Sequence, residues 1–255
     1  MKVTDYSKVA PRYDESDVRR RIPPDDFLHQ HLYHEPRRPY FALDLACGTG
    51  NYLAVQTAAF AGQGVRWFGL DRSEAMLEIA RTKAEGVELA VGRAEELPYE
   101  DGQFHYLVTS FAFHHFEDKP RAIAEMARVL MPGGGLRIVN IAPSHMRGFW
   151  LYDFFPEARH EDQKRFWSPD LVFGELETHG FEPRLRVDFE RYRVRLADLL
   201  KDAERRDMSQ LAILSEPQYE RGLLRLREAL AREPERRVLT EMALVVCTAI
   251  RPERA

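Results

Sequence analysis

The stretch Phe41–Asn51, which reads F-A-L-D-L-A-C-G-T-G-N, decides the fold of this chain. Apolar, strand-compatible residues run up to Leu45, and Gly48 and Gly50 then precede a segment that can form a helix. Glycine has no Cβ, so the backbone can turn sharply and a ligand can lie directly against it. A strand, a glycine turn and a helix in this order predict the opening unit of a nucleotide-binding α/β fold.

Strand-like and helix-like stretches alternate after this unit. Strands are predicted at Val65–Asp71, Val87–Val91, Phe104–Ser110, Leu136–Ile141, 181–194 and Thr240–Ile250. Helices are predicted at Tyr52–Ala61, after Ser73, at Pro169–His179 and at Lys119–Leu130, where M-P-G-G-G (131–135) ends the helix. This order predicts a doubly wound, mostly parallel, seven-stranded Rossmann-like α/β sheet, whose ligands bind at the carboxyl ends of the strands.

The chain is predicted to be one structural domain with four segments. Residues 1–40 form an N-terminal helical lid, 41–195 the Rossmann-like core, 196–237 a helical cap insertion, and 238–255 the final strand and tail. Helices are expected at about 15–22 and 25–33, and Tyr6, Tyr13 and Arg19–Arg21 are the candidate ligand contacts of the lid. The alternative is that this segment is a solvated helical arm.

The composition narrows the function classes. The net charge of −4 gives no general attraction for nucleic acid or for an anionic membrane. Two cysteines, Cys47 and Cys247, argue against a disulfide framework. No apolar run has the roughly 18 residues of a membrane span, and no apolar signal-peptide region opens the sequence. The histidines show no metal-ligand spacing. We expect a cytoplasmic protein without a metal site.

Four motifs carry a resemblance to a known family. They are L-D-L-A-C-G-T-G-N (43–51), G-L-D-R-S-E-A-M-L (69–77), G-R-A-E-E-L-P-Y-E-D-G-Q-F-H (92–105), and S-F-A-F-H-H-F-E-D (110–118) followed by A-R-V-L-M-P-G-G-G (127–135). Over about residues 40–142 the sequence resembles the class I S-adenosylmethionine-dependent methyltransferases, in the small-molecule branch that includes the ubiquinone and menaquinone methyltransferases. The resemblance implies methyl transfer to a small-molecule acceptor, with S-adenosylhomocysteine as product, by a monomer or homodimer.

The glycine turn agrees with a ligand that has no phosphate. No lysine follows Gly50, so the phosphate-binding pattern G-x-x-x-x-G-K-[ST] is absent. Leu53 takes the position of the third glycine in the dinucleotide pattern G-x-G-x-x-G. S-adenosylmethionine needs close backbone approach and an acid for its ribose hydroxyls, which the turn and Asp71 can provide.

The resemblance implies roles for the cofactor-binding residues. Asp71 would accept the ribose hydroxyls, and Asp44 would orient the amino group, unless it only supports the glycine turn. The other candidates are Tyr13, Ala46, Cys47, Gly48, Thr49, Gly50, Arg72, Met76, Ala94, Glu95, Ser110 and Phe111. Two positions depart from the family pattern, which commonly has Asp where this chain has Arg93 and His105. We expect Glu95 to replace the first Asp, and any bond of the second to be lost or remade.

His114 and His115 are the candidate catalytic residues. They follow the predicted fourth strand, and a histidine, with an ordinary pKa near 6.5, suits a general base near neutral pH. The alternative is that the pair is structural. Two other functions stay open: methylation of RNA or protein, and cofactor binding without catalysis.

Overall fold

The computed structural model describes residues 10–15, 22–35 and 37–253. Within them lies a seven-stranded sheet of order β3-β2-β1-β4-β5-β7-β6. The strands are β1 (Tyr40–Leu45), β2 (Val65–Asp71), β3 (Glu88–Val91), β4 (Phe104–Ser110), β5 (Leu130–Ile141), β6 (Glu182–Arg195) and β7 (Arg237–Ile250). The pairs β1–β2, β1–β4, β2–β3 and β4–β5 are parallel. The predicted Rossmann-like α/β sheet is confirmed.

Helices lie between the strands, at the predicted places except for the two within 150–165, which were not predicted. They are α1 (Asp26–His34), α2 (Asn51–Ala59), α3 (Glu74–Lys83), α4 (Lys119–Val129), α5 (Trp150–Phe154), α6 (Pro156–Arg165), α7 (Pro169–Thr178), α8 (Leu196–Arg205), α9 (Ser209–Ala212) and α10 (Glu216–Arg232). Short 3₁₀ turns lie at Ala10–Glu15, Phe113–His115 and Pro143–His145. Strand order reverses between β1 and β4, which is where a doubly wound sheet opens a crevice.

The start of β5 was wrongly predicted. The strand begins at Leu130, immediately after α4, so M-P-G-G-G lies inside it instead of forming a turn before Leu136. Phe104 pairs with Leu130 and Tyr106 with Gly135, so the register shifts between these two pairs. This irregularity accommodates the glycines without ending the strand.

A buried carboxylate joins α1 to the sheet. Asp25 caps α1 through Oδ1, which accepts from the N–H of Phe27 and of Leu28, both at 3.1 Å. Its Oδ2 accepts from the hydroxyls of Tyr52 (2.6 Å) and Tyr106 (2.7 Å), and Oδ1 lies 2.5 Å from Arg137 Nη1. The Asp25 side chain is fully buried, so this network fixes α1 against α2, β4 and β5.

Part of the predicted lid lies outside the described residues. These include Tyr6, Arg19–Arg21 and most of the helix expected at 15–22. The helix expected at 25–33 is α1.

Contacts divide the chain into two compact units that do not follow the four predicted segments. One unit comprises the described residues of 5–140 with Asp170–Arg186 and the chain from Val246. The other comprises Ile141–Pro169 and Val187–Val245, so it includes α5 and α6 as well as the predicted helical insertion. Inside this second unit the Phe155 ring is buried and stacks on Tyr219 of α10.

The described residues lack two features. No helix among them is both long and apolar enough to cross a membrane. Within the same ranges, no group of three or more His, Cys, Asp or Glu side chains could hold a metal ion.

Candidate active site

A cleft lies at the carboxyl ends of β1–β4, inside the first unit. The space along it is roughly 800 Å³, part of which is open to solvent. Among the predicted site residues, the following line it: Tyr13, Ala46, Gly48, Asp71, Arg72, Met76, Ala94, Glu95, Ser110, Phe111 and His115. The predicted residues Asp44, Cys47, Thr49, Gly50 and His114 lie outside this lining.

The carboxylate of Asp71 is held by the backbone on both oxygens. Oδ2 accepts from the Gly48 N–H at 2.9 Å, and Oδ1 accepts from the Ser73 N–H at 2.8 Å. Burial raises the pKa of Asp71, and the two N–H groups oppose that shift. Each carboxylate oxygen can accept more than one hydrogen bond, so a preoriented acceptor at the cleft wall stays available for ligand hydroxyls.

The glycine turn is bent by residues with positive φ. Ala46 (60°), Gly48 (54°) and Gly50 (75°) all lie in the left-handed region. A Cβ on Gly50 would lie 3.0 Å from the Cβ of Ala80 on α3, so a side chain there is excluded by space as well as by conformation. Gly50 therefore packs the turn against Ala80 of α3, while Ala46 and Gly48 line the cleft.

Asp44 is a buried carboxyl group next to the turn. Its side chain lies in β1, is 2% exposed, and its Oδ2 has no hydrogen-bond partner among the described residues. Burial, together with the charge of Asp71, raises the pKa of Asp44 to about 8. A buried acceptor in this state would be stabilised by a cation that binds nearby.

Cys47 and Thr49 are packing and supporting residues in the same turn. Both are buried, and burial raises the pKa of the Cys47 thiol well above its usual value, which opposes a nucleophilic role. The Thr49 hydroxyl donates to Asp14 Oδ1 at 2.8 Å.

Beyond β3, the side chain of Glu95 is tied to the segment after β4. Glu95 Oε1 accepts from the Glu117 N–H at 2.7 Å, and Arg93 forms an ion pair with Glu117 at 2.9 Å. Ala94 is buried and lines the cleft beside Glu95. These contacts place alternating charges along one side of the cleft. Arg93, which stands where the family commonly has an acid, pairs with Glu117 and Glu95.

The segment after β4 presents an aromatic side chain and a histidine. Phe111 has φ of 53°, is 49% exposed, and its N–H donates to Val139 O at 2.7 Å. A bulky residue in this region is strained, and such residues are concentrated at functional sites. His115 lines the cleft and its ring lies 3.9 Å from that of His114, which is 4% exposed. Of the two candidate bases, His115 is the one in the cleft.

His105 makes its own bond in place of the acid. Its Nδ1 accepts from the Phe41 N–H at 3.1 Å, and the ring stacks on Tyr40 at a centroid distance of 4.8 Å. Burial lowers the pKa of His105, so the neutral ring that this bond requires is favoured. The departure from the family pattern is therefore structural, at the start of β1, and remote from the cleft lining.

Comparison with known proteins bears on the same residues. Residues 42–134, which contain the turn, Asp71 and the His114–His115 segment, match the family model described as a methyltransferase domain. Residues 42–134 therefore resemble a methyltransferase domain.

Curated relatives match part of the chain. The demethylmenaquinone methyltransferase of Bacillus mycoides (strain KBAB4) is 37% identical over 113 residues, which cover 42% of this chain and 47% of the relative. The chain thus spans about half the length of the curated relatives it matches. The resemblance inferred from the motifs is confirmed over the part of the chain that carries them.

Solved structures share the fold. A candidate methyltransferase of an antibiotic biosynthesis pathway in Anabaena variabilis superimposes with a TM-score of 0.63 at 22% identity, over 89% of this chain and 98% of that one. Phosphoethanolamine N-methyltransferase 2 of Haemonchus contortus, solved with S-adenosylhomocysteine, gives 0.53 at 21% identity, over 88% of this chain and 53% of that one.

The cleft suits a nucleoside that carries a positive charge and no phosphate. Asp71 offers preoriented acceptors, and Asp44 Oδ2 is a buried acceptor with no partner in the described part of the chain. The described residues that line the cleft include no lysine, and of the two arginines among them, Arg93 is ion-paired with Glu117. This donor and acceptor set suits the ribose and the positive charges of S-adenosylmethionine.

Sequence reasoning missed several contributors to the site, among them Asp14, Phe116 and Glu117. Asp14 binds the glycine turn, and Phe116 and Glu117 line the cleft. Phe116 and Glu117 directly follow the paired histidines, so their position in the motif could have indicated them. Asp14 lies in a polar, proline-interrupted stretch, and only its neighbour Tyr13 was predicted.

Proposed function

We propose that this protein transfers a methyl group from S-adenosylmethionine to a small-molecule acceptor and releases S-adenosylhomocysteine. The observation that carries the proposal is the Asp71 carboxylate, fixed by the Gly48 and Ser73 N–H groups at the wall of a cleft in a region that resembles a methyltransferase domain. The resemblance of the motifs and the absence of lysine from the described lining of the cleft support the same cofactor.

Cofactor binding would use both acids. Asp71 would accept the ribose hydroxyls, each in a charge-assisted bond that contributes roughly 1.5–3 kcal/mol. Asp44 would face the ammonium group, directly or through water, and Ala94 and Glu95 would lie beside the adenine. When bound, the cofactor supplies a methyl group on a positively charged sulfur.

The protein's part in the transfer is mainly alignment. An acceptor atom held in line with the methyl–sulfur bond gains up to roughly 7–11 kcal/mol from orientation alone. Ser110, Phe111 and His115 lie where β4 ends and would bound the acceptor side of the cleft. If the acceptor is an O–H or N–H group, His115 would take its proton, whereas the buried His114 would hold the His115 ring in place.

The acceptor class rests on the relatives and on the cleft. The Bacillus mycoides relative is named for a demethylmenaquinone substrate, and we propose for this chain only the wider class of small metabolites. A cytoplasmic location and a monomeric or homodimeric state stay predictions.

Calorimetry with S-adenosylhomocysteine tests the cofactor site. Wild type is expected to bind, and Asp71→Ala to bind about tenfold more weakly or worse, since it loses at least one charge-assisted bond. Asp101→Ala, a change of the same kind at an exposed carboxylate, is the matched control. An unchanged dissociation constant in Asp71→Ala would refute the ribose role.

Methyl-labelled S-adenosylmethionine, incubated with a metabolite extract, tests the reaction. Label in a small molecule identified by mass spectrometry supports the proposal. Label in RNA or protein would favour the other acceptor classes. Persistent binding with no S-adenosylhomocysteine formed would indicate a non-catalytic binding protein.

A further inference from the structure

The carboxylate of Asp14 connects a short turn to the glycine loop. Oδ1 accepts from Thr49 Oγ1 and from Asn51 Nδ2, both at 2.8 Å. Oδ2 accepts from Lys83 Nζ at 2.7 Å, and Lys83 also donates to Asn51 Oδ1 at 2.7 Å. One side chain is therefore bound by three donors, and two of these donors are bound to each other.

The donors come from three elements that build the cofactor end of the cleft. Thr49 lies in the glycine turn, Asn51 begins α2, and Lys83 ends α3. Thr49 is 1% exposed, so its position is fixed by the fold. The turn Ala10–Glu15, which carries Asp14, is thereby attached to the same structure that holds Asp71.

Tyr13 gives this attachment a consequence in the cleft. It precedes Asp14 and lines the cleft, whereas the other described lining residues come from β1, β2, β4 or the segments that follow β1–β4. Because neighbouring residues move together, the position of Asp14 sets the position of Tyr13. Burial raises the pKa of Asp14, but the bonds from Lys83, Thr49 and Asn51 outweigh it and keep this pKa below its usual value. The carboxylate is therefore charged at neutral pH.

We propose that Asp14 is a positioning residue, a latch that holds Tyr13 at the cleft through Thr49, Asn51 and Lys83 and so slows the release of the bound cofactor. The inference rests on the proposed function, because it concerns the same cleft. Loss of the latch raises the dissociation rate and leaves the Asp71 contacts in place.

The test measures binding and release of S-adenosylhomocysteine by stopped flow in the full chain. Asp14→Ala is expected to raise the dissociation rate about tenfold, since it removes two hydrogen bonds from uncharged donors and one ionic bond. Lys83→Met removes the ionic contact with Asp14 and the bond to Asn51, leaves the Thr49 and Asn51 donors to Asp14 in place, and is expected to raise this rate about threefold. Lys83→Arg keeps the charge and is expected to restore most of the slow release. The association rate is expected to change little.

Arg81→Met is the matched control. It removes one positive charge from the same helix, and Arg81 pairs with Glu74, away from Asp14. Release from this variant is expected to equal that of wild type. Tyr13→Ala is expected to speed release as Asp14→Ala does, and the double variant to add little, because both changes remove the same contact with the cofactor.

The outcomes separate the latch from the proposed function. If wild type does not bind S-adenosylhomocysteine, the proposed function fails and the latch fails with it. If wild type binds but Asp14→Ala and Lys83→Met release at the rate of Arg81→Met, the latch alone is overturned. Effects of Tyr13→Ala and Asp14→Ala that add fully would also overturn it, because the two residues would then act separately.

Discussion

Replacement of Asp44 by asparagine should abolish a loss of stability that wild type shows as pH rises, and should weaken the cofactor site. Asp44 is buried in β1, and burial with the charge of Asp71 raises its pKa to about 8. In the unfolded chain this carboxyl returns to its ordinary pKa of about 3.9. Between these values the folded state holds a proton that the unfolded state has released, so the stability of wild type falls as pH rises through this window.

The size of the effect follows from that linkage. The asparagine in the variant cannot titrate, so the stability difference between Asp44→Asn and wild type should grow by about 1.4 kcal/mol per pH unit. From pH 5 to pH 7 this amounts to about 2.7 kcal/mol in favour of the variant. Binding should change in the opposite direction, because the variant lacks the ionisable carboxylate that we assign to the ammonium group.

Urea unfolding of both proteins at pH 5, 6 and 7 measures the slope. Asp101→Asn reports the effect of losing one negative charge at the surface. Saturation with S-adenosylhomocysteine should flatten the wild-type slope, since the ligand's positive charge favours the ionised carboxylate. A stability difference that stays constant from pH 5 to 7 would refute the buried, proton-holding state of Asp44.

Three further outcomes are expected. Gly50→Ala should cost about 1–2 kcal/mol of stability from the positive φ alone, and the close contact with Ala80 should add to this cost. It should also weaken S-adenosylhomocysteine binding. Urea unfolding measures the stability change, and calorimetry measures the change in binding. The stability advantage of wild type over His105→Asn should be full above pH 7 and should shrink as pH falls below about 6.5. The unfolded histidine takes up a proton in this range, whereas the buried ring, whose Nδ1 accepts from the Phe41 N–H, resists protonation. Unfolding at pH 8 and at pH 5.5 measures the difference. The buried Cys47 thiol should react with a thiol reagent only on unfolding, so fast native labelling at that position would contradict its packing role.

The strands of the core could be predicted from local pattern because each is short, apolar and ended by a strong signal. Val65–Asp71 and Phe104–Ser110 have the predicted bounds. The start of β5 could not be read in this way, because M-P-G-G-G is a turn signal in isolation. Its extended form depends on pairing with Phe104 and Tyr106, which is a long-range contact.

The candidate site shows the same division. The position of Asp71 could be predicted because the ligand crevice of such a sheet lies at the carboxyl ends of the strands, and Asp71 ends the second strand. Asp14 was not, because its partners Thr49, Asn51 and Lys83 are distant in sequence and no local pattern joins them. Composition likewise gave no indication that Arg93 pairs with Glu117 or that His105 bonds to the backbone of β1.

The Asp25 network sets a practical limit on how small a working piece of this protein can be. A recombinant fragment that starts at Tyr40 would keep every strand, yet would leave Arg137 facing two tyrosine hydroxyls with the matching anion deleted. Removing one partner of a buried ion pair costs about 3–5 kcal/mol, whereas the whole free energy of unfolding of an ordinary domain is roughly 5–15 kcal/mol. Trimmed versions meant for crystallisation should therefore retain at least the residues from Ile22 onward, and versions meant for ligand screening should also retain Tyr13 and Asp14.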